Sequence, residues 1–243
     1  MNDRPANTFR TTRWTGVLAA RGESPEARQA LRELCEAYYG PVEAFVRRHR
    51  GGRDDAGDLT QAFFAGLLEG DGLGGVERTR GRFRSYLLGA VKHFLADQAG
   101  RSSAEKRGGG QAPRSLDGRP GREPPDVADP HGFPPDAFFD RQWALAVVAR
   151  AMGVLEAEAQ GAEARRFEVL RRWLLAAEGP ASAAEAARSL DMTDGAFKVA
   201  VHRLRKRFRQ LVKEQIASTL DDSEALQGEL DYLIQALAAA RPG

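Results

Sequence analysis

Residues 182–212 read SAAEAARSLDMTDGAFKVAVHRLRKRFRQLV, and their pattern predicts two helices joined by a short turn. Ser182, followed three residues later by Glu185, matches a capping box, which marks the start of the first helix. Residues 191–193 form the predicted turn, where Thr193 is placed to cap the second helix. The stretch is therefore predicted to be a helix-turn-helix.

The second of these helices has two chemically distinct sides. Apolar residues recur at steps of three and four, which predicts one buried stripe: Phe197, Val201, Leu204, Phe208 and Leu211. Between Gly195 and Lys213 there are seven basic residues and no acidic one. This arrangement is typical of a helix that docks in the DNA major groove, where early residues reach base edges and later cations hold phosphates. A charged surface helix packed on a helical bundle is the alternative interpretation.

The rest of the chain predicts an all-α fold with two helical domains. Ala and charged residues dominate and β-branched residues are sparse, which favours helix over strand. Residues 101–135 are rich in Gly and Pro and nearly lack large apolar side chains, so they are predicted to be a flexible linker. The predicted boundaries are 10–100 for the first domain, 101–135 for the linker, 136–220 for the helix-turn-helix domain and 221–243 for an acidic amphipathic C-terminal helix.

Local signals place the elements of the first domain. A helix is expected to begin at Ser24-Pro25 and to break at Gly40-Pro41, before a second short helix. Further helices are expected at 54–68 and 81–98. The single cysteine, Cys35, falls on the apolar side of the first helix, which indicates a buried core thiol; a redox sensor is the less favoured reading.

The net charge of +2 hides an uneven distribution. Residues 78–107 hold eight basic and two acidic residues, whereas residues 214–243 hold one basic and six acidic residues. A protein that binds a polyanion can have this profile. The acidic tail can fold onto the basic helix and reduce DNA binding; an ordinary docking helix for the second domain is an equal alternative.

Several classes of protein are disfavoured. One cysteine excludes a disulfide framework or a cysteine-based zinc site within one chain. No signal peptide or membrane span is visible, so a cytoplasmic protein without membrane insertion is expected. The four histidines form no metal-ligand motif, and no phosphate-binding loop is present: His49, His93, His131 and His202. We therefore expect no enzyme activity, no catalytic residue, no metal and no cofactor.

Three segments, in this order along the chain, resemble those of sigma factors of the extracytoplasmic-function (ECF) kind. DDAGDLTQAFFAGLL at 54–68 resembles their D-A-E-D-L-x-Q-E-x-F polymerase-binding helix. RGRFRSYLLGAVKHFLADQ at 80–98 resembles the segment that grips and opens the promoter. DGAFKVAVHRLRKRFRQLV at 194–212 resembles the promoter-reading helix. The departures are Asp191 where the family's turn usually has Gly, Tyr86 for a frequent Trp, and His93 near a usual Asn, which places the chain in a divergent branch.

The resemblance implies a subunit that directs core RNA polymerase to promoter DNA. The first domain would recognise the promoter element where the strands open, and the helix-turn-helix would recognise the element farther upstream. The implied polymerase-binding residues are Asp55, Asp58, Leu59, Gln61 and Phe64. The implied DNA-binding residues are Arg80, Arg82, Arg84, Lys92, His93, Gly195, Lys198, His202, Arg203, Arg205, Lys206 and Arg207. A monomer is expected when the protein is free, and an anti-sigma protein is left open as a further partner.

A stand-alone repressor or activator is the main alternative function. It needs only the helix-turn-helix, with the first domain sensing a ligand or dimerising. The order of the segments at 54–68 and 80–98 favours the sigma factor, because a stand-alone regulator needs neither a polymerase-binding helix nor a segment that opens DNA.

Overall fold

The computed structural model describes residues 25–52, 54–69, 83–105, 134–174, 182–217, 219–220 and 225–238. Throughout these ranges the backbone is helix, turn or short connection, without a strand. The predicted all-α class is confirmed for this part of the chain. No helix within it has both the length and the apolar character that crossing a bilayer requires.

Eight α-helices make up the described structure. They are α1 (Pro25–His49), α2 (Ala56–Glu69), α3 (Phe83–Glu105), α4 (Pro135–Glu158), α5 (Ala162–Leu170), α6 (Ala183–Ser189), α7 (Asp194–Ala217) and α8 (Leu226–Ala238). A 3₁₀ turn, Arg171–Trp173, follows α5 directly.

The described residues divide into two compact units. Unit 1 comprises residues up to Ala146 together with those from Ala217 onward, and unit 2 comprises Val147–Ile216. The first half of α4 therefore belongs to unit 1 and its second half to unit 2. The sequence predicts a domain boundary at residues 135–136 and a separate C-terminal helix. In the structure the first unit extends to Ala146, and α8 belongs to the same unit.

Aromatic side chains from four helices form the core of unit 1. Tyr38 of α1 meets the edge of Phe83 of α3 at a ring-centroid distance of 5.0 Å. Phe63 of α2 lies 5.6 Å from Phe94 of α3, and Phe45 of α1 lies 5.9 Å from Phe139 of α4. Such edge-on pairs add to the free energy gained by burying the rings. The N-terminal half of α4 is thus an integral part of this core.

The break predicted at Gly40-Pro41 is wrong, because α1 runs continuously through Pro41. A proline inside a helix costs about 3 kcal/mol, since it lacks an N–H and crowds the preceding turn. The flanking Tyr38, Val42 and Phe45 are almost completely buried, at 2%, 0% and 3% exposure. Burial of each such side chain contributes about 1.5–3 kcal/mol. Packing of this face against the core therefore outweighs the local preference for a break.

Both ends of the predicted linker are helical. α3 continues to Glu105, and α4 already begins at Pro135. The remainder of the predicted linker, 106–133, lies outside the described residues.

Cys35 is a buried core thiol, as its helical spacing predicted. It is 6% exposed. Burial, with a smaller contribution from the neighbouring carboxylate of Glu36, raises the pKa of the thiol from its usual 9.0 to about 12. Because the thiolate is the reactive form, this environment disfavours a redox-sensing role.

We expect Cys35 of the native protein to react with iodoacetamide at pH 8 at least about 100-fold more slowly than in the urea-unfolded chain. Raising the pKa by about three units lowers the thiolate fraction by about a thousandfold, and burial adds a steric barrier. Mass spectrometry of timed, quenched samples measures both rates without ambiguity, since the chain has one cysteine. Similar rates in the two states would contradict a buried, protonated thiol.

Candidate nucleic-acid interface

A tight turn joins α6 to α7. The backbone N–H of Met192 donates to the carbonyl of Ala187 at 3.0 Å, and that of Asp191 donates to the carbonyl of Arg188 at 3.1 Å. These two bonds form a Schellman motif, which requires a left-handed residue just after the helix. Asp191 has φ 53°, the only positive φ among the described non-glycine residues. An aspartate tolerates this region better than most residues, so the turn can form here without glycine.

Side-chain caps fix the starts of both helices. Ser182 Oγ accepts the backbone N–H of Glu185 at 3.2 Å, and Thr193 Oγ1 accepts that of Ala196 at 3.2 Å. Both predicted N-caps are confirmed. Each satisfies a backbone donor that the helix itself leaves unpaired.

The inward side of α7 is the apolar stripe that the sequence predicted. Phe197, Val201, Phe208 and Leu211 are buried and Leu204 is partly buried. Phe197 packs with Ala187 of α6 and Leu170 of α5 in one cluster. It also forms an edge-on pair with Trp173, at a ring-centroid distance of 5.5 Å. Because this face is fixed to the rest of unit 2, the rotation of α7 about its axis is determined.

The opposite side of α7 is solvent-exposed and cationic. The predicted DNA-binding residues that the structure places there are Gly195, Lys198, His202, Arg203 and Lys206. Arg209 and Lys213 are exposed on the same side, although the predicted site omitted them. Both residues belong to the same basic run, Gly195–Lys213, and this run is the signal from which they could have been predicted. Five full positive charges thus lie along about 20 Å of helix, since α7 rises about 1.5 Å per residue.

Two predicted DNA-binding arginines of α7 instead contact unit 2 itself. Arg205 donates from Nε and Nη2 to the carbonyl oxygen of Trp173, at 3.0 Å and 2.7 Å. Arg207 donates from Nε to Glu158 at 3.1 Å and lies 3.7 Å from Glu214. The bond to Glu158 is the main cause that raises the pKa of Arg207 above its usual value. In this arrangement Arg205 helps to fix α7 against the rest of unit 2, whereas Arg207 forms a solvent-exposed ion pair.

The predicted DNA-binding residues of the first domain do not form one surface. Arg80 and Arg82 lie outside the described residues. His93 is exposed, whereas Lys92 is half-buried and forms an ion pair with Asp136 at the start of α4. Arg84 lies in the interior of unit 1, only 5% exposed.

The guanidinium of Arg84 is enclosed by acidic and aromatic side chains. Nη1 donates to Asp140 of α4, and Nη2 lies 3.6 Å from the carboxylate of Glu229 of α8. The group stacks over the rings of Trp143, at 4.7 Å, and Tyr232, at 4.2 Å. Tyr232 also donates its hydroxyl to Asp140. We call these five residues the Arg84 cluster; within it, Arg84 is not accessible to a DNA phosphate.

The Arg84 cluster includes two residues of the acidic C-terminal helix, Glu229 and Tyr232. The sequence leaves open whether this tail folds onto the basic helix or docks on the second domain. In the structure Glu229 is buried against Arg84 of α3, and Leu233 is buried in the same unit. Asp231 is exposed and accepts a hydrogen bond from Gln227 at 2.9 Å. The other three acidic residues, Asp221, Asp222 and Glu224, lie outside the described part.

Only part of the predicted polymerase-binding set is on the surface. Asp58 and Gln61 are exposed on α2. The same side of the helix carries exposed Ala62, Ala65 and Leu68, the last 43% exposed, all missed by the sequence-based prediction. Asp58 and Gln61 therefore place a carboxylate and an amide at one end of a narrow apolar strip. The residues along this side of the helix are three or four positions apart.

The other residues predicted to bind polymerase make contacts within unit 1. Phe64 is 6% exposed and stacks on Tyr39 at 5.7 Å. Asp55 is half-buried and accepts a hydrogen bond from Arg50 at 2.7 Å. Leu59 is half-buried and lines a cavity of about 220 Å³, together with His49, Arg50, Leu95, Gln98 and Ala99.

Comparison with protein-family models finds no matching family. Comparisons with curated proteins and with solved structures likewise find no match.

Replacing Asp140 by Asn should destabilise unit 1 by about 3 kcal/mol or more, because Arg84 would remain buried without its closest counter-charge. The neighbouring Asp136→Asn is the matched control. It breaks a more exposed ion pair one turn earlier in α4, so a loss below about 1 kcal/mol is expected. Urea denaturation followed by far-UV circular dichroism compares the two variants. Equal, small losses would contradict the structural role of the Arg84 cluster.

Proposed function

We propose that this chain is a sigma-type transcription initiation factor, which binds core RNA polymerase and directs it to promoter DNA. In this proposal α6, the turn and α7 form a helix-turn-helix that recognises the upstream promoter element in the major groove. Residues of unit 1 bind the polymerase and act on the promoter element where the strands open. The protein would have no enzymatic activity of its own.

The outward side of α7 is the observation that carries the proposal. Lys198, Arg203 and Lys206 are exposed there, while Arg205 and Arg207 are held by unit 2. No acidic residue interrupts the run from Gly195 to Lys213. Such a row of cations on a rigid helix suits the evenly spaced phosphates of duplex DNA. The exposed start of the helix leaves room for contact with base edges.

The exposed face of α2 supports the polymerase-binding part of the proposal. Asp58 and Gln61 provide polar groups beside the apolar strip that ends at Leu68. An interface of this kind combines apolar burial with a few orienting hydrogen bonds. Phe64 has no part in this surface, because it is fully engaged in the core of unit 1.

A stand-alone regulator is the second candidate, and the buried position of Arg84 favours it. The segment that resembles a promoter-opening element has this arginine engaged with Asp140 and Glu229. A repressor or activator would use the outward side of α7 alone, with unit 1 in another role. Separating the two candidates requires a test of DNA binding and a test of polymerase binding.

DNA binding is tested by titrating labelled duplex DNA with the full chain at increasing salt, followed by fluorescence anisotropy. Each of Lys198→Ala, Arg203→Ala and Lys206→Ala should reduce the log–log salt slope by about 0.9, the value for one phosphate contact. Gln210→Ala is the matched control, since Gln210 is exposed on the same helix but uncharged. An unchanged slope in all three variants would contradict a DNA-binding role for α7.

Polymerase binding is tested by co-elution of the full chain with bacterial core RNA polymerase on a sizing column. The double variant Asp58→Ala, Gln61→Ala should weaken co-elution at least about tenfold. The control variant Gln29→Ala, Glu33→Ala removes an exposed amide and carboxylate from α1 and should bind normally. A wild-type chain that binds duplex DNA but never core polymerase would favour the stand-alone regulator.

A further inference from the structure

Val199 is an exposed apolar residue in the middle of the cationic side of α7. It is 49% exposed, and the other exposed large apolar side chains in the described structure lie on other helices: Leu68, Leu145 and Ile234. A β-branched residue at an exposed helical position is less favourable than alanine, because its rotamers are restricted. Local helix preference therefore does not account for valine at this position.

The position of Val199 on α7 follows from the helical period. Residues advance by about 100° around the axis, so Gly195, Val199 and Lys206 lie near one line opposite the buried stripe. His202 lies to one side of this line and Arg203 to the other. A Cβ added at Gly195 would meet nothing within 4 Å. Along this line the first two turns of α7 carry no side chain at Gly195 and the two methyl groups of Val199 one turn later. Cationic side chains lie beside them.

The floor of the major groove has one apolar feature. Base edges there present hydrogen-bond donors and acceptors, except for the C5-methyl group of thymine. If the flanking cations hold the phosphates, Val199 faces the groove floor. A polar base edge covered by valine would lose its water without gaining a partner, which is unfavourable. A thymine methyl group covered by valine would gain apolar burial instead.

We propose that Val199 is a specificity-determining residue that selects thymine through contact with its C5-methyl group. This proposal rests on the DNA-binding part of the proposed function. It assigns sequence information to an uncharged residue, whereas the surrounding Lys198, Arg203 and Lys206 supply affinity that is largely independent of sequence.

The test begins by selecting duplexes from a random pool with the full chain, adding core polymerase if that complex forms. In the selected duplex each thymine is then replaced, one at a time, by deoxyuridine, which removes only the C5-methyl group. For the wild type we expect one replacement to weaken binding about fourfold, the value for burial of one methyl-sized group. Val199→Ala should bind the unmodified duplex more weakly by a similar factor and should not respond to that replacement.

Ile234→Ala is the matched control, because Ile234 is also an exposed large apolar residue but lies on α8. It should retain the wild-type response to deoxyuridine. If the wild type and Val199→Ala respond alike at every thymine, the proposal is wrong while DNA binding stands. If no duplex is enriched with or without polymerase, the DNA-binding function and the Val199 proposal both fail.

Discussion

Unit 1 depends on the neutralisation of one buried guanidinium. A charge removed from water is tolerated only when counter-charges and hydrogen bonds replace the water that it loses. Asp140 of α4 and Glu229 of α8 supply the counter-charges for Arg84, and the rings of Trp143 and Tyr232 cover its faces. Arg84 and Glu229 are 145 positions apart along the chain. A single electrostatic requirement therefore determines which distant segments must meet in this unit.

In unit 2 the helical period divides the basic residues of α7 between two roles. Arg205 and Arg207 lie at the edges of the buried stripe, where a carbonyl oxygen and carboxylates of the same unit are within reach. Lys198, Arg203 and Lys206 lie farther round the helix and are exposed. Arginines at the edges suit the first role because their planar, multiple donors can hold two acceptors at once. The same run of sequence thus provides both the attachment of the helix and its outward charge.

Sequence reasoning succeeded where the chemistry is local. The stripe of α7, the caps at Ser182 and Thr193 and the burial of Cys35 depend on periodicity and on short-range hydrogen bonds, and all are confirmed.

Sequence reasoning failed where contacts between residues far apart in the chain determine the structure. Pro41 sits inside a helix because its neighbours pack in a core that the local sequence does not reveal. Arg84 looks like a surface cation until Asp140 and Glu229 are placed beside it. Polymerase and promoter binding remain predictions.

The discontinuity of unit 1 has a consequence for how the protein is made. The ribosome synthesises the chain from its N-terminus, at about 5–20 residues per second, so every residue of Val147–Ile216 has been added before α8 is made. Until Glu229 is synthesised, Arg84 lacks one of its two acidic partners. Unit 1 therefore reaches its final packing only after α8 has been synthesised. A premature stop codon just after α7 would therefore harm the part of the molecule that was translated first.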